Sequence, residues 1–265
     1  MKKVFIFTGI TDHAENDREF VIGKLKEHNM EYSRKLTSDV DLIFCVGGDG
    51  TLLKLVQQLD FPTIPICGIN TGHLGFFQEV SMDNVDVFLD RFNNNEIIVQ
   101  PYNIVKATIN TKYETLTFHA LNEFVVRSRT NNLIHLSVSI NNSFIEDYSG
   151  DGVLVSSPAG STAYNYSLGG SIVDPRLNLL QLTPMAPMNT KTYRSLTSSI
   201  LLPEDDKIII EPEDERSKSL LILFDSEDKV VTDIKSIILT LSKRKIQLVR
   251  FGDLTFWDKI KDKYL

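Results

Sequence analysis

Gly47-Gly48-Asp49-Gly50-Thr51 sets a carboxylate among three glycines, between the apolar run Val40–Val46 and a stretch with leucines at helical spacing. Glycines let a backbone adopt φ > 0 and lie close to a ligand. A helix starting here would present unpaired N–H donors and the positive end of its dipole, which suits phosphate oxygens. No Gly-Lys-Ser/Thr comes next, so this is not a Walker loop, and Lys54, one turn on, reads as a surface residue. Asp49 needs a reason of its own, because a carboxylate repels phosphate. It could accept a proton from an attacking hydroxyl, hold a metal, or bond a sugar hydroxyl. It could equally cap the adjoining helix. The loop alone suggests phosphoryl transfer and leaves the acceptor open.

Three further stretches carry polar groups at strand ends. Asn70-Thr71-Gly72-His73-Leu74-Gly75-Phe76 reads as a tight loop beside the same cleft. His73 reads there as a hydrogen-bonded structural residue, while Phe76 could stack on a ring or close the core. Asn122-Glu123 puts an amide beside a carboxylate, a pair suited to ribose hydroxyls or base nitrogens, or simply a turn. Gly150-Asp151-Gly152 leads through Val153–Ser156 into a Pro-Gly turn and the hydroxyl-rich run Ser161-Thr162-Ala163-Tyr164-Asn165-Tyr166-Ser167. That passage makes either a second site for a polar, ring-bearing ligand or a β-turn with Ser/Thr caps.

The elements that must position these groups come in two styles. Up to about residue 95, strands alternate with helices. Val4–Thr8, Val40–Val46 and Ile64–Ile69 are apolar runs. A helix over Ala14–Asn29 has apolar Phe20, Val21, Leu25 and Met30; a second carries Leu52, Leu53, Leu55, Val56 and Leu59; a third spans Asp83–Phe92. Such alternation predicts a parallel, Rossmann-like layer. From Pro101 on, Val105, Ala107 and Ile109 alternate with polar residues, as do Leu136, Val138 and Ile140, and Asn141-Asn142 marks a hairpin. Short strands continue at Ile208–Ile210, Leu220–Phe224 and Ile237–Leu241, which predicts an antiparallel, sandwich-type all-β second domain. The expected division is 1–100, 101–245 and a tail, 246–265, whose amphipathic helix packs back on the first domain.

Composition narrows the function. The 265 residues are 42% hydrophobic and 24% charged, ordinary for a globular protein. A net charge of −7 disfavours nucleic acid and anionic membranes as partners. Lys2-Lys3 before Val4–Phe7 imitates a signal peptide, but the run lacks a small-residue cleavage site, so a first strand is expected. Two cysteines in apolar runs, Cys45 and Cys67, read as free thiols and fit a cytoplasmic location.

Taken in order, GGDGT, NTGHLGF, LNE and GDG-VLVSSPAGSTAYNYSLGG resemble the NAD kinase family of bacterial type, over about residues 42–175 at motif level and over the whole chain in domain order. Arg250-Phe251 and Phe256-Trp257 resemble the end of the bacterial enzymes. The resemblance implies transfer of the γ-phosphoryl group of ATP, or of polyphosphate, to the 2′-hydroxyl of the adenosine ribose of NAD, giving NADP. It implies Asp49 as proton acceptor and the Gly47, Gly48, Gly50 and Thr51 loop as phosphate cradle. NAD contacts are implied for Asp49, Gly50, Phe76, Asn122, Glu123, Asp151, Thr162, Ala163, Tyr164, Asn165, Tyr166 and Ser167, with Ala186 lining the adenine pocket. A divalent ion, magnesium, would neutralise the triphosphate, with no protein metal site and no tightly bound prosthetic group. A homo-oligomer, dimer or tetramer, is implied as well.

The chain departs from the family pattern at three places. Ser149 stands where relatives often carry a basic residue, Ala159 where Thr or Ser is usual, and Asp225-Ser226 where relatives often place Asp-His. Asp225 is a second-tier site candidate. Rival readings are a lipid kinase of the diacylglycerol or sphingosine type, which shares the GGDGT loop, a phosphofructokinase-like sugar kinase, and a non-catalytic NAD sensor. The net charge and the hydroxyl-rich stretch argue against the first.

Overall fold

The computed structural model describes residues 1–10, 13–72, 75–130, 132–190, 194–252 and 255–265. The chain divides into two compact units, Met1–Tyr102 with Lys245–Leu265, and Asn103–Arg244.

In the first unit, β1 (Lys3–Thr8), β2 (Glu31–Ser33), β3 (Leu42–Val46), β4 (Ile66–Asn70) and β5 (Gln78–Ser81) form a sheet. The pairings β2–β1, β1–β3, β3–β4 and β4–β5 are all parallel. The helices α1 (Ala14–Glu27), between β1 and β2, and α2 (Asp49–Gln58), between β3 and β4, supply crossovers, and α3 (Val85–Asn93) follows β5. Every residue of β3 is buried, as a strand covered on both faces requires. The buried face of α1 is Val21, Ile22 and Leu25. Phe20, expected on that face, is turned out and 42% exposed, because 3.6 residues per turn put Ile22 there instead. Met30 is buried but lies beyond the helix, after Asn29 turns the chain at φ 54°.

The strand β6 (Ile98–Thr111) carries the chain into the second unit. There β7 (Thr115–Ala120), β8 (Glu123–Ser128), β9 (Ile134–Ile140), β10 (Ser143–Gly150), β11 (Gly152–Ser156), the short α4 (Tyr164–Ser167), β12 (Leu179–Met185), β13 (Ile200–Pro203), β14 (Ile208–Pro212), β15 (Leu220–Phe224) and β16 (Glu227–Val231) are arranged in chain order. One sheet runs β13-β12-β11-β8-β15-β16, antiparallel throughout. The other includes β10-β9-β14, paired to the first half of β17 (Ile234–Arg250). Alternate residues of both sheets make one core: Phe124, Val126, Val155 and Ile222 come from the first, and Val105, Ala107, Ile109, Leu136 and Ile208 from the second. That is a sandwich built on period-2 patterning. Asn141, at φ 56°, turns the β9–β10 hairpin.

The end of β17 lies in the first unit, where Leu248 pairs with Ile66 of β4. A last helix, α5 (Phe256–Tyr264), ends the fold. Among the described residues no helix is long and apolar enough to cross a membrane.

Candidate active site

Asp49 is the first residue of α2, and its carboxylate does not cap that helix. Gly48 takes the N-cap position without a side-chain bond. The carboxylate instead accepts N–H bonds from two residues beyond β4: Phe76 N donates to Oδ2 at 2.9 Å and Phe77 N to Oδ1 at 3.0 Å. The capping alternative therefore fails, since the group is held by a distant loop and not by its own first turn. Around it the glycines divide into two kinds. A Cβ on Gly48 or Gly50 would meet nothing within 4 Å, so the loop is open at those positions. A Cβ on Gly47, which has φ +146°, would fall 2.4 Å from Thr51 Oγ1. Lys54 is exposed, as expected. His73 and Leu74 lie outside the described residues.

Phe76 closes on the last helix. Its ring lies 6.1 Å from those of both Phe256 and Tyr264. The helix is fixed at its start by a capping box between Thr255 and Asp258. One turn in, Lys259 is buried and donates to Phe76 O at 3.0 Å, Gln78 O at 2.8 Å and Glu79 Oε1 at 2.6 Å. Glu79 also pairs with Arg250 at 2.6 Å. Burial lowers the pKa of Lys259, opposed by the charge of Glu79. Lys263, on the same face one turn later, stands 3.7 Å from Asp49 Oδ2. Phe76, Arg250 and Phe256 stood out in the sequence, but Glu79, Lys259 and Lys263 did not; their trace is the four-residue spacing of the two lysines on an amphipathic tail.

In the second unit, Asn122 and Glu123 sit at the start of β8, both buried. Asp225, at φ 52° just after β15, accepts Leu121 N at 2.8 Å and Asn122 N at 2.7 Å. Ser157 holds the same backbone from the other side, donating its hydroxyl to Leu121 O at 2.6 Å. Gly160 packs so closely that a Cβ would fall 2.1 Å from Asn122 O. The backbone is thus locked, while Asn122 Oδ1 and Glu123 Oε2 are buried with no hydrogen-bond partner. Buried polar atoms are nearly always paired, so these two oxygens are unusual in having acceptor capacity left over. Burial, and then the charge of Asp225, push the Glu123 carboxyl up to about 8.

The run 162–167 splits by direction. Asn165 is fully buried: its amide donates to Ser161 O and Ser171 O and accepts from Thr183 Oγ1 at 2.7 Å. That side chain is spent on fixing the turn of α4. Tyr164 and Tyr166 are 40% and 41% exposed, and Ser167 is exposed beside them. Thr162 is buried with Ala163 half-buried. Ala186 is exposed at φ 45°. Asp151 is exposed and lines a polar cavity with Arg127, Ser128, Thr130 and Asn132. The glycines flanking it are forced by packing, since a Cβ on Gly150 would fall 2.2 Å from Tyr148 Oη and one on Gly152 2.5 Å from Val126 O. Ser149 is fully buried with an unpartnered hydroxyl. Cys45 and Cys67 are free and buried, and burial pushes both thiols up. Among the described residues, no three His, Cys, Asp or Glu side chains gather to hold a metal ion.

The family model described as the ATP-NAD kinase N-terminal domain matches residues 9–97, and that of the ATP-NAD kinase C-terminal domain matches residues 121–251. The chain is 36% identical over 246 residues to the NAD kinase of Finegoldia magna, covering 91% of this chain and 90% of that one. It is 31% identical to NAD kinase 2 of Bacillus subtilis, with 96% and 95% covered. The fold is similar to that of an NAD kinase from Archaeoglobus fulgidus solved in complex with ATP, with a TM-score of 0.77, 25% identity, and 99% and 98% of the two chains covered. Yeast NADH kinase complexed with NADH shares the fold at a TM-score of 0.81 and 19% identity, over 100% of this chain and 87% of that one. The lipid-kinase, sugar-kinase and sensor readings find no support among these relatives.

Proposed function

The chain belongs to the NAD kinase family and is a phosphotransferase of that kind, and we propose that its reaction runs through Asp49. The 2′-oxygen of the adenosine ribose of NAD attacks the γ-phosphorus of ATP, the bond from that phosphorus to the bridging oxygen breaks, and ADP leaves. The hydroxyl proton passes to the Asp49 carboxylate. The observation that carries this reading is the orientation of that carboxylate: two backbone N–H groups turn it away from its own helix and fix it at an open glycine loop. Phosphoryl transfer asks a protein chiefly for alignment and charge, which a fixed carboxylate beside helix-end amides provides.

The other roles derive from what each side chain has free to offer. Gly47, Gly48, Gly50 and Thr51 cradle phosphate. Asn122 and Glu123 meet NAD donors with their unpartnered oxygens, Asp151 through its exposed carboxylate, and Tyr164 and Tyr166 through their ring faces. Thr162, Ala163, Ser167, Phe76 and Ala186 line the ligand, and Asn165 serves it through the turn it fixes. Magnesium enters as MgATP, with the substrate, and neutralises the charge of the triphosphate. Polyphosphate is the second donor to try. A cytoplasmic homo-oligomer belongs to the same reading, and light scattering of the purified protein tests the assembly.

The test of activity is NADP formation from NAD, ATP and magnesium, detected with an NADP-specific dehydrogenase. Magnesium-dependent NADP is the expected result. No NADP from a folded protein that NAD still stabilises against heat would leave a sensor, and the catalytic reading would fall.

A further inference from the structure

A carboxylate at a phosphate loop repels the substrate it serves, because like charges a few ångströms apart interact strongly at the effective dielectric of a protein surface. The segment Gly47–Thr51 has no cation of its own to offset this. In the first unit one stands close by. Lys263 Nζ is 3.7 Å from Asp49 Oδ2 and 4.6 Å from the centre of the Phe76 ring. Its side chain is 30% exposed and that of Asp49 29%, so the ammonium is neither sealed into the core nor loose in solvent.

Its place is set by the rest of α5. The Thr255–Asp258 capping box fixes the start of the helix, and buried Lys259 ties the next turn to Phe76 O, Gln78 O and Glu79. Phe256 and Tyr264 pack on Phe76. The spacing of four from Lys259 to Lys263 then puts both on one face. An ammonium has three donors, and 3.7 Å is longer than a hydrogen bond. The ammonium can therefore donate to a phosphate oxygen while it stays beside the Asp49 carboxylate.

We propose that Lys263 is a catalytic residue: its ammonium lets the Asp49 carboxylate and the terminal phosphate of the donor share the Gly47–Thr51 loop, and it balances charge on the transferring phosphoryl oxygens. The inference rests on the role of Asp49 as proton acceptor. Lys263 keeps its protons throughout; the hydroxyl proton goes to Asp49 and the electron pair of the breaking bond to the leaving ADP.

The test compares wild type with Lys263→Met, Lys263→Arg and Lys261→Met, the last removing an exposed cation of the same helix. ATP affinity is measured by calorimetry without NAD, and kcat and KM by NADP formation. Lys263→Met is expected to weaken ATP binding and lower kcat by about tenfold each, the size of one charge-assisted hydrogen bond. Its KM for NAD should stay near wild type, Lys263→Arg should restore most of both losses, and Lys261→Met should change neither. Equal ATP affinity in wild type and Lys263→Met overturns the inference, as does an equal loss in Lys261→Met or a wild type that does not bind ATP. A wild type that binds ATP through Lys263 yet makes no NADP supports the inference and refutes the proposed function.

Discussion

Gly75 lies against the Asp49 carboxylate so tightly that a Cβ on it would fall 2.2 Å from Oδ1. The same Cβ would be 1.8 Å from Oε1 of Gln78, which is fully buried. One hydrogen is all the space allows. Gly75→Ala is therefore expected to push the carboxylate off its Phe76 and Phe77 donors, at a cost of about 1–3 kcal/mol in stability. Turnover should fall by about tenfold or more, since misplacement of a reacting group costs rate steeply. Steady-state kinetics with a thermal melt check this; a variant with wild-type kcat would mean that the carboxylate has no fixed task.

Asp49→Asn keeps the shape of the side chain and removes its capacity to take a proton. NAD affinity should stay close to wild type while kcat falls by about a hundredfold or more, the ordinary worth of a general base. A kcat within about tenfold of wild type would remove the proton-acceptor role. Equilibrium binding of NAD alongside initial rates separates the two effects.

Glu123 titrates at about 8, pushed up first by burial and then by the Asp225 charge, against an ordinary 4.5. Between those values the folded protein holds a proton that the unfolded chain has lost. Stability should therefore fall as pH rises through that window and level off above it. The fall is on the order of a few kcal/mol for one buried carboxyl. Glu123→Gln, neutral at every pH, should lack it. Urea midpoints of both proteins across the window provide the measurement, and parallel curves would show that Glu123 ionises normally.

Glu79 is the hinge of a buried charge group, with Lys259 and Arg250 both on its Oε1. Glu79→Gln leaves two cations unbalanced, whereas Lys259→Met leaves Glu79 still paired with Arg250. The first should cost about 3–5 kcal/mol, the usual result of breaking a buried pair, and the second less. Calorimetric melts should show that order; the reverse would mean that packing of the Lys259 stem outweighs charge.

The strand–glycine–helix passage around Asp49 was legible because its signals are local. An apolar run marks a strand buried on both faces, glycines mark a turn, and leucines at helical spacing mark the helix α2. Period-2 patterning likewise announced the strands around Val105–Ile109 and Leu136–Ile140, and Asn141 the hairpin that follows the second of them. Short strands such as β2 and β5 escaped, since three or four residues hold no period. The family was legible from the order of four motifs, each weak alone.

What the chain could not announce is which partner each polar group chooses. Asn165 and Tyr164 are neighbours in one motif, yet one amide is consumed inside the protein and the other ring is exposed. Asp49 had a helix to cap within reach and instead accepts from Phe76 and Phe77. Lys263 meets it from more than two hundred residues away. Local pattern by itself determined the elements, their order and the residue types at their ends. Tertiary structure decided which of those groups were satisfied and which were left open to a substrate, because hydrogen bonds and charges are settled by distance in space, and separation along the chain carries no information about it.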